Sequence, residues 1–229
     1  MTLTEIGETL EQQGIFSGGP PHLFESAGRL QLATLVREGL YPYSRLLDVG
    51  CGCLRAGYWL IRLLDPGCYY GIEPNTKMLQ AGIEQVIGPE LHAAKRPSFD
   101  TNDRFDFSVF GVQFDVFLAR SIWSHAAKSQ IQTMLDGFVK HSSLDAFFLA
   151  SYYPARWSPL ARARDYRGTE WIGRSHTSTK PGQINHNRRW IESECRARGL
   201  FLKDVEEPPF NGQYWLMISR KNRTPLRAA

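Results

Sequence analysis

Long hydrophobic runs are missing from this sequence. No stretch approaches the roughly 18 uninterrupted apolar residues of a membrane helix, so no membrane span is expected. Cysteine is scarce, and Cys51, Cys53, Cys68 and Cys195 are all that 229 residues contain. They form no CxxC pair and no Cys/His zinc spacing. Four reduced thiols in a cytoplasmic protein are therefore expected. A strong charge of one sign is lacking too. The net charge of +4 admits an acidic ligand without requiring nucleic acid. There is no internal repeat and no low-complexity segment. The opening MTLTEIGETLEQQG is polar and acidic, unlike a secretory signal. Hydrophobic and charged fractions of 42% and 22% are those of an ordinary globular chain, long enough for one domain with a full core.

Helical and strand patterns alternate along the chain. Residues 2–13 and 23–39 read as helices joined by SGGPPH, with Leu30, Leu32, Leu35, Val36 and Leu40 giving the second an apolar face. Strands are expected at 46–49, 69–72, 97–102, 114–121 and 146–152, with helices at 56–64, 76–87 and 130–139 between them. Asp65-Pro66-Gly67 and Gly88-Pro89 are read as helix stops. Residues 154–184 look irregular, 185–199 helical, and 201–206 and 213–220 like two closing antiparallel strands. Such alternation predicts an α/β fold: a Rossmann-like, mostly parallel sheet with an antiparallel last strand and helices on both faces. Residues 1–40 are expected to form an N-terminal helical cap. Residues 41–229 would form the main domain, with an insertion at about 154–184.

In such a sheet a ligand sits beyond the carboxyl ends of the strands. The first turn there is LLDVGCGCLRAG, Leu46–Gly57. A dinucleotide turn needs GxGxxG, with glycines for close approach of the pyrophosphate. Here the third glycine is missing and Arg55 stands in its place. Asp48 precedes the turn, where its carboxylate would repel a pyrophosphate but suit an ammonium or sulfonium. Both features point away from a dinucleotide and toward S-adenosylmethionine (SAM). The next strand, YYGIEP, ends in Glu73, about 20 residues past the glycines, where an acid can accept both ribose hydroxyls.

From Leu46 to Ser121 the sequence resembles the class I SAM-dependent methyltransferases. LLDVGCG is similar to their first motif and YYGIEPN to their second, with Glu73 in the ribose position. TNDRFDF places Asn102 and Asp103 where the family contacts the adenine amine, and FDVFLARSIWSHA resembles the fourth motif. The resemblance implies a cofactor site of Asp48, Gly50, Cys51, Gly52, Arg55, Glu73, Pro74, Asn102, Asp103, Ala119 and Arg120. The chain departs from the family at Cys53-Leu54, where many members carry glycine. That leaves Arg55 facing either the cofactor or a neighbouring carboxylate. A narrower likeness, to bacterial sugar O-methyltransferases such as those of mycobacterial methylmannose polysaccharide synthesis, implies a sugar hydroxyl as acceptor.

Methyl transfer is an in-line displacement and gains from a base at the acceptor. His125, just past the fourth strand, is the candidate catalytic base; the other reading is a helix-start histidine bonded to backbone. Tyr152 and Tyr153 after the fifth strand either hold a substrate hydroxyl or pack. The 154–184 segment carries Trp157, Glu170, Trp171 and His176 and is too long for an ordinary connection. It reads as a substrate cap for a flat, hydroxylated small molecule, or as an oligomer contact that would make a homodimer. A divalent metal gains no support from its spacing. EPPF, Glu207–Phe210, is similar to a motif of base-modifying amino-methyltransferases but lies far from the fourth strand, so it reads as a turn. Nucleic acid is disfavoured as substrate. The rival outside enzymology is a non-catalytic SAM-fold subunit that binds a partner.

Overall fold

The computed structural model describes residues 1–155, 184–207 and 212–223. The chain divides into two compact units, one of Met1–Asp103 with Val109–Gly111, the other of Arg104–Ser108 with Val112–Ala229.

The first unit is built on three parallel strands, β1 (Leu46–Val49), β2 (Tyr69–Ile72) and β3 (Ser98–Asp100), in the order β3-β2-β1. The register pairs Leu46 with Tyr69, Val49 with Ile72, and Ile72 with Asp100. All of β1 is buried, as a strand covered on both faces must be. Helices α1 (Leu3–Gln12), α2 (Phe24–Arg37), α3 (Gly57–Leu63), α4 (Thr76–Ala81) and α5 (Gly88–Lys95) belong to the same unit. A capping box opens α1: the Thr2 hydroxyl accepts from the Glu5 amide, and the Glu5 carboxylate accepts from the Thr2 amide. Gly28 lets α2 close onto the chain after β1, because a Cβ there would lie 2.5 Å from the Arg55 carbonyl oxygen.

Between residues 76 and 95 the chain differs from the sequence expectation in two ways. The helix expected at 76–87 is α4 followed by a π-helical turn, Gly82–Ile87. A Cβ on Gly82 would stand 2.6 Å from the Cys53 carbonyl carbon, so the widened turn and the missing side chain together admit the Cys53 backbone. Gly88-Pro89, read as a stop, instead opens α5. Proline suits a helical first turn because its missing N–H has no partner to lose there.

The second unit has β4 (Phe114–Ala119) parallel to β5 (Ser142–Pro154), then β8 (Tyr214–Ser219) and β7 (Phe201–Asp204) antiparallel, with α6 (Lys128–His141) and α7 (Arg188–Ala197). The helix expected from 185 starts later. Asn187 caps it by accepting from the Arg189 amide, and Asn185–His186 form a short strand, β6, beside the end of β5. With its mostly parallel strands, antiparallel closing pair and surrounding helices, the chain has the expected Rossmann-like architecture.

The core of this unit is aromatic. Phe117 lies 5.0 Å from Phe138 on α6 and 5.7 Å from Phe148 on β5, ring centre to ring centre. Phe114 is 5.4 Å from the same ring. All four side chains are fully buried. Phe117→Ala is expected to cost about 3–5 kcal/mol, read as a shift of the urea midpoint, and Phe117→Leu clearly less.

Candidate functional site

The carboxyl end of β1 runs into a turn held by β2. The amides of Gly50 and Cys51 both donate to the Ile72 carbonyl, at 2.8 and 3.1 Å. Gly50 and Gly52 have φ of +74° and +58°, a region open to glycine and strained for other residues. Leu54 occupies it as well, at +62°, which costs on the order of 1 kcal/mol.

Glu73 follows β2 and ties the turn together. Its Oε2 accepts from the Gly52 amide at 3.0 Å and its Oε1 from the Asn75 amide at 2.8 Å. Burial raises the Glu73 pKa, and the two amide donors oppose that rise. Pro74 continues the chain from Glu73 into the Asn75 cap of α4, whose side chain accepts from the Met78 amide. Asp48 is buried in β1, where the Tyr69 hydroxyl donates to its Oδ2 at 2.8 Å. Its pKa is pushed up to about 7, mainly by burial, with the tyrosine bond lowering it and the Glu73 charge raising it. The turn therefore holds two acids whose pKa burial raises, and a nearby cation would favour their charged forms.

The same unit places the other residues of the first three motifs. Cys51 and Cys53 are buried free thiols. Burial pushes the Cys51 pKa well up and that of Cys53 to about 11. Cys51 lies against β2, where a Cβ on Gly71 would meet its sulfur at 2.8 Å. Arg55 reaches the N-terminal segment: its Nη1 donates to the Gly18 carbonyl at 2.9 Å, and burial lowers its pKa. Asn102 is oriented by Asp100, whose Oδ1 accepts from the Asn102 backbone and side-chain nitrogens at 2.8 and 2.6 Å. Asp103 follows directly. Asp100 and Gly71 escape a motif reading, although a glycine inside a strand does signal close approach.

In the second unit Ala119 ends β4, and Arg120 and Ser121 begin the next loop. Arg120 Nη1 donates to the Ser151 hydroxyl at 2.9 Å and to Gln213 Oε1 at 2.6 Å. Its guanidinium carbon lies 5.1 Å from the centre of the Trp215 ring. The Ser121 amide donates to the Ser151 hydroxyl, that hydroxyl donates to Gln213 Oε1, and Gln213 Nε2 donates to the Ser121 hydroxyl, at 2.8, 2.7 and 2.9 Å. This mesh holds Ser121 at φ +62°. Ser151 and Gln213 were not foreseeable, since single polar residues at strand ends carry no spacing.

His125 lies on this loop, its amide bonded to the Ile122 carbonyl at 2.9 Å. Burial lowers its pKa to about 4, well below the ordinary imidazole value. Tyr152 is buried, and burial raises its pKa. Tyr153 is half-buried. Trp157, Glu170, Trp171 and His176 lie outside the described residues, as does most of EPPF. Among the described residues no three His, Cys, Asp or Glu side chains are grouped to hold a metal, and no helix is long and apolar enough to cross a membrane.

The sequence matches no protein-family model, and a search of curated proteins returns no match. Solved structures are similar in fold. The magnesium protoporphyrin IX methyltransferase ChlM of Synechocystis PCC 6803, with bound SAM, gives a TM-score of 0.60 at 17% identity, covering 86% of this chain and 79% of its own. A DhpI–SAM–HEP complex gives 0.62 at 12%, covering 94% and 93%. Human N-acetylserotonin methyltransferase with SAM gives 0.59 at 12%, covering 96% of this chain and 57% of its own. At these identities the likeness establishes the fold, that of the Rossmann-like methyltransferases.

The shifted acid and histidine make opposite contributions to pH-dependent stability. Asp48 favours the folded state below its unfolded pKa near 4, and that contribution is lost as pH rises toward about 7. His125 favours it above about 6.5, and that contribution is lost as pH falls toward about 4. Between those limits the two slopes oppose. Urea titrations across this window should therefore show stability rising with pH more steeply in Asp48→Asn than in the parent, and rising less or falling in His125→Gln.

Proposed function

We propose that the chain is a SAM-dependent methyltransferase whose acceptor is a hydroxyl of a small molecule, preferably a sugar or glycoside. The observation that carries the cofactor reading is the pair of buried acids at the glycine turn. Glu73 is held by the Gly52 and Asn75 amides, and Asp48 by Tyr69. Solved structures of the same fold with bound SAM support it.

The residues of the first unit fit this cofactor. Asp48 would face its cationic end and Glu73 the ribose hydroxyls, with Asn102 and Asp103 toward the adenine. Gly52 leaves room for it, since the nearest atom to a Cβ there is the Met78 sulfur at 3.7 Å. When bound, SAM supplies a methyl group activated by its sulfonium charge. The protein's own task is to align the acceptor, exclude water and take its proton. His125 is the residue proposed for the last step. With a pKa near 4 it is neutral at physiological pH, the form in which an imidazole can accept a proton. So low a value makes it a weak base, so the proton would move only as the oxygen acquires the methyl group.

The acceptor class rests on the sequence resemblance and on the hydrogen-bonding groups of the loop after β4. A non-catalytic subunit that binds a partner is the competing reading. It has no use for two acids kept buried at such a turn.

Calorimetry with SAM tests the cofactor. Glu73→Ala should weaken binding by about 1.5–3 kcal/mol, the worth of a hydrogen bond to a charged group. Unchanged affinity would remove the assignment. A methyl-release assay over hydroxylated acceptors then tests the base. His125→Ala should retain SAM affinity and lower kcat at least about 100-fold. In the parent, the acidic limb of the rate profile should fall near pH 4 rather than near 6.5. A variant with full turnover would place the proton acceptor elsewhere.

A further inference from the structure

His125 is flanked by the carbonyls of Ser124 and Ala126, and one short segment grips both. The Ile184 amide donates to the Ser124 oxygen at 2.8 Å. Two residues on, His186 Nε2 stands 3.1 Å from the Ala126 oxygen. A carbonyl oxygen only accepts, so the contact is a hydrogen bond when this nitrogen carries the proton. The His186 side chain is fully buried, and Trp190 of α7 stacks against it at 5.6 Å with the rings 28° from parallel. Lys128, at the start of α6, places its ammonium 5.1 Å from the centre of the same indole.

The segment is itself anchored. Asn185 and His186 pair with Tyr153 and Pro154 of β5, and the Ala155 amide donates to the His186 carbonyl at 2.9 Å. The loop it grips is fixed at its other end by the Ser151–Gln213 mesh and by the Ser124 hydroxyl, which donates to the Ser121 carbonyl at 2.8 Å.

We infer that His186 is a positioning residue: with the Ile184 amide it splints the loop on both sides of His125 and fixes where that imidazole stands. The inference rests on the reading of His125 as the proton acceptor. A base must lie within hydrogen-bond reach of the proton it takes, and a loop of this length holds such a geometry only when its backbone is tied. The pairing also has a direct reason in the sequence. Asn187 caps α7 rather than extending it, which frees Asn185 and His186 for β6 and turns His186 toward Ala126.

Imidazole NMR on the intact chain tests the splint without an acceptor. His186→Phe keeps a ring for Trp190 and deletes the donor; His186→Gln keeps an N–H at similar reach. In His186→Phe the titration midpoint of His125, about 4 in the parent, should rise by at least about one unit toward the value of a solvated imidazole. In His186→Gln it should remain close to the parent. SAM affinity should be the same in all three. A folded His186→Phe with an unmoved His125 midpoint overturns the inference. If that variant does not fold, the tautomer of His186 in the parent decides: a proton on Nε2 supports the splint, and one on Nδ1 overturns it. Failure of the parent to bind SAM would instead overturn the cofactor assignment and leave the His186 result standing.

Discussion

The carboxylate of Glu73 accepting the Gly52 amide is the contact on which the first unit depends. It joins the turn after β1 to the end of β2 through a buried, charge-assisted hydrogen bond. Around it the backbone is already drawn together, with the Ile72 carbonyl receiving two amides of the turn. Every neighbouring element is shaped to respect that arrangement. Gly71 gives room to the Cys51 sulfur, Gly82 to the Cys53 backbone, and Gly28 to the Arg55 carbonyl. A side chain at any of these positions would push on the turn and so on the spacing between Asp48 and Glu73.

The turn and its acids were legible in the sequence because their signals are local. An apolar run ending in Asp48, glycines at alternate positions and an acid ending the next strand fix β1 and β2 to the residue. Where the reading slipped, distant contacts decided. Gly88-Pro89 looks like punctuation in isolation, yet it starts α5. The π-helical turn before it packs Gly82 against the Cys53 backbone, a contact no periodicity contains. His125 illustrates the same limit for chemistry. Its ordinary titration follows from its identity, but the low value follows from burial, which depends on the fold of the loop around it. Ser151, Gln213 and His186 escaped notice for a related reason: each is a lone polar residue whose partner is far away in sequence.

The two units solve different problems with different materials. The first keeps two acids away from water, where burial raises the pKa of both. The second ties hydroxyls and an amide to a guanidinium, since Arg120 donates to both Ser151 and Gln213 within the mesh. Such a mesh rigidifies the loop, and it holds Ser121 in a conformation that serine rarely adopts.

Cysteine is an odd choice beside a proposed methyl donor, because a thiolate is a strong nucleophile toward a sulfonium methyl. Reactivity belongs to the thiolate, however, and not to the thiol. Cys51 and Cys53 are buried, and both are kept protonated well beyond neutral pH, with the charges of Asp48 and Glu73 adding to the effect of burial at Cys51. The acids that would draw the cofactor in thus also quiet the sulfur beside it. A thiol held in that form would resist alkylation by such a donor, which lets the turn keep small, polarizable side chains at a buried position.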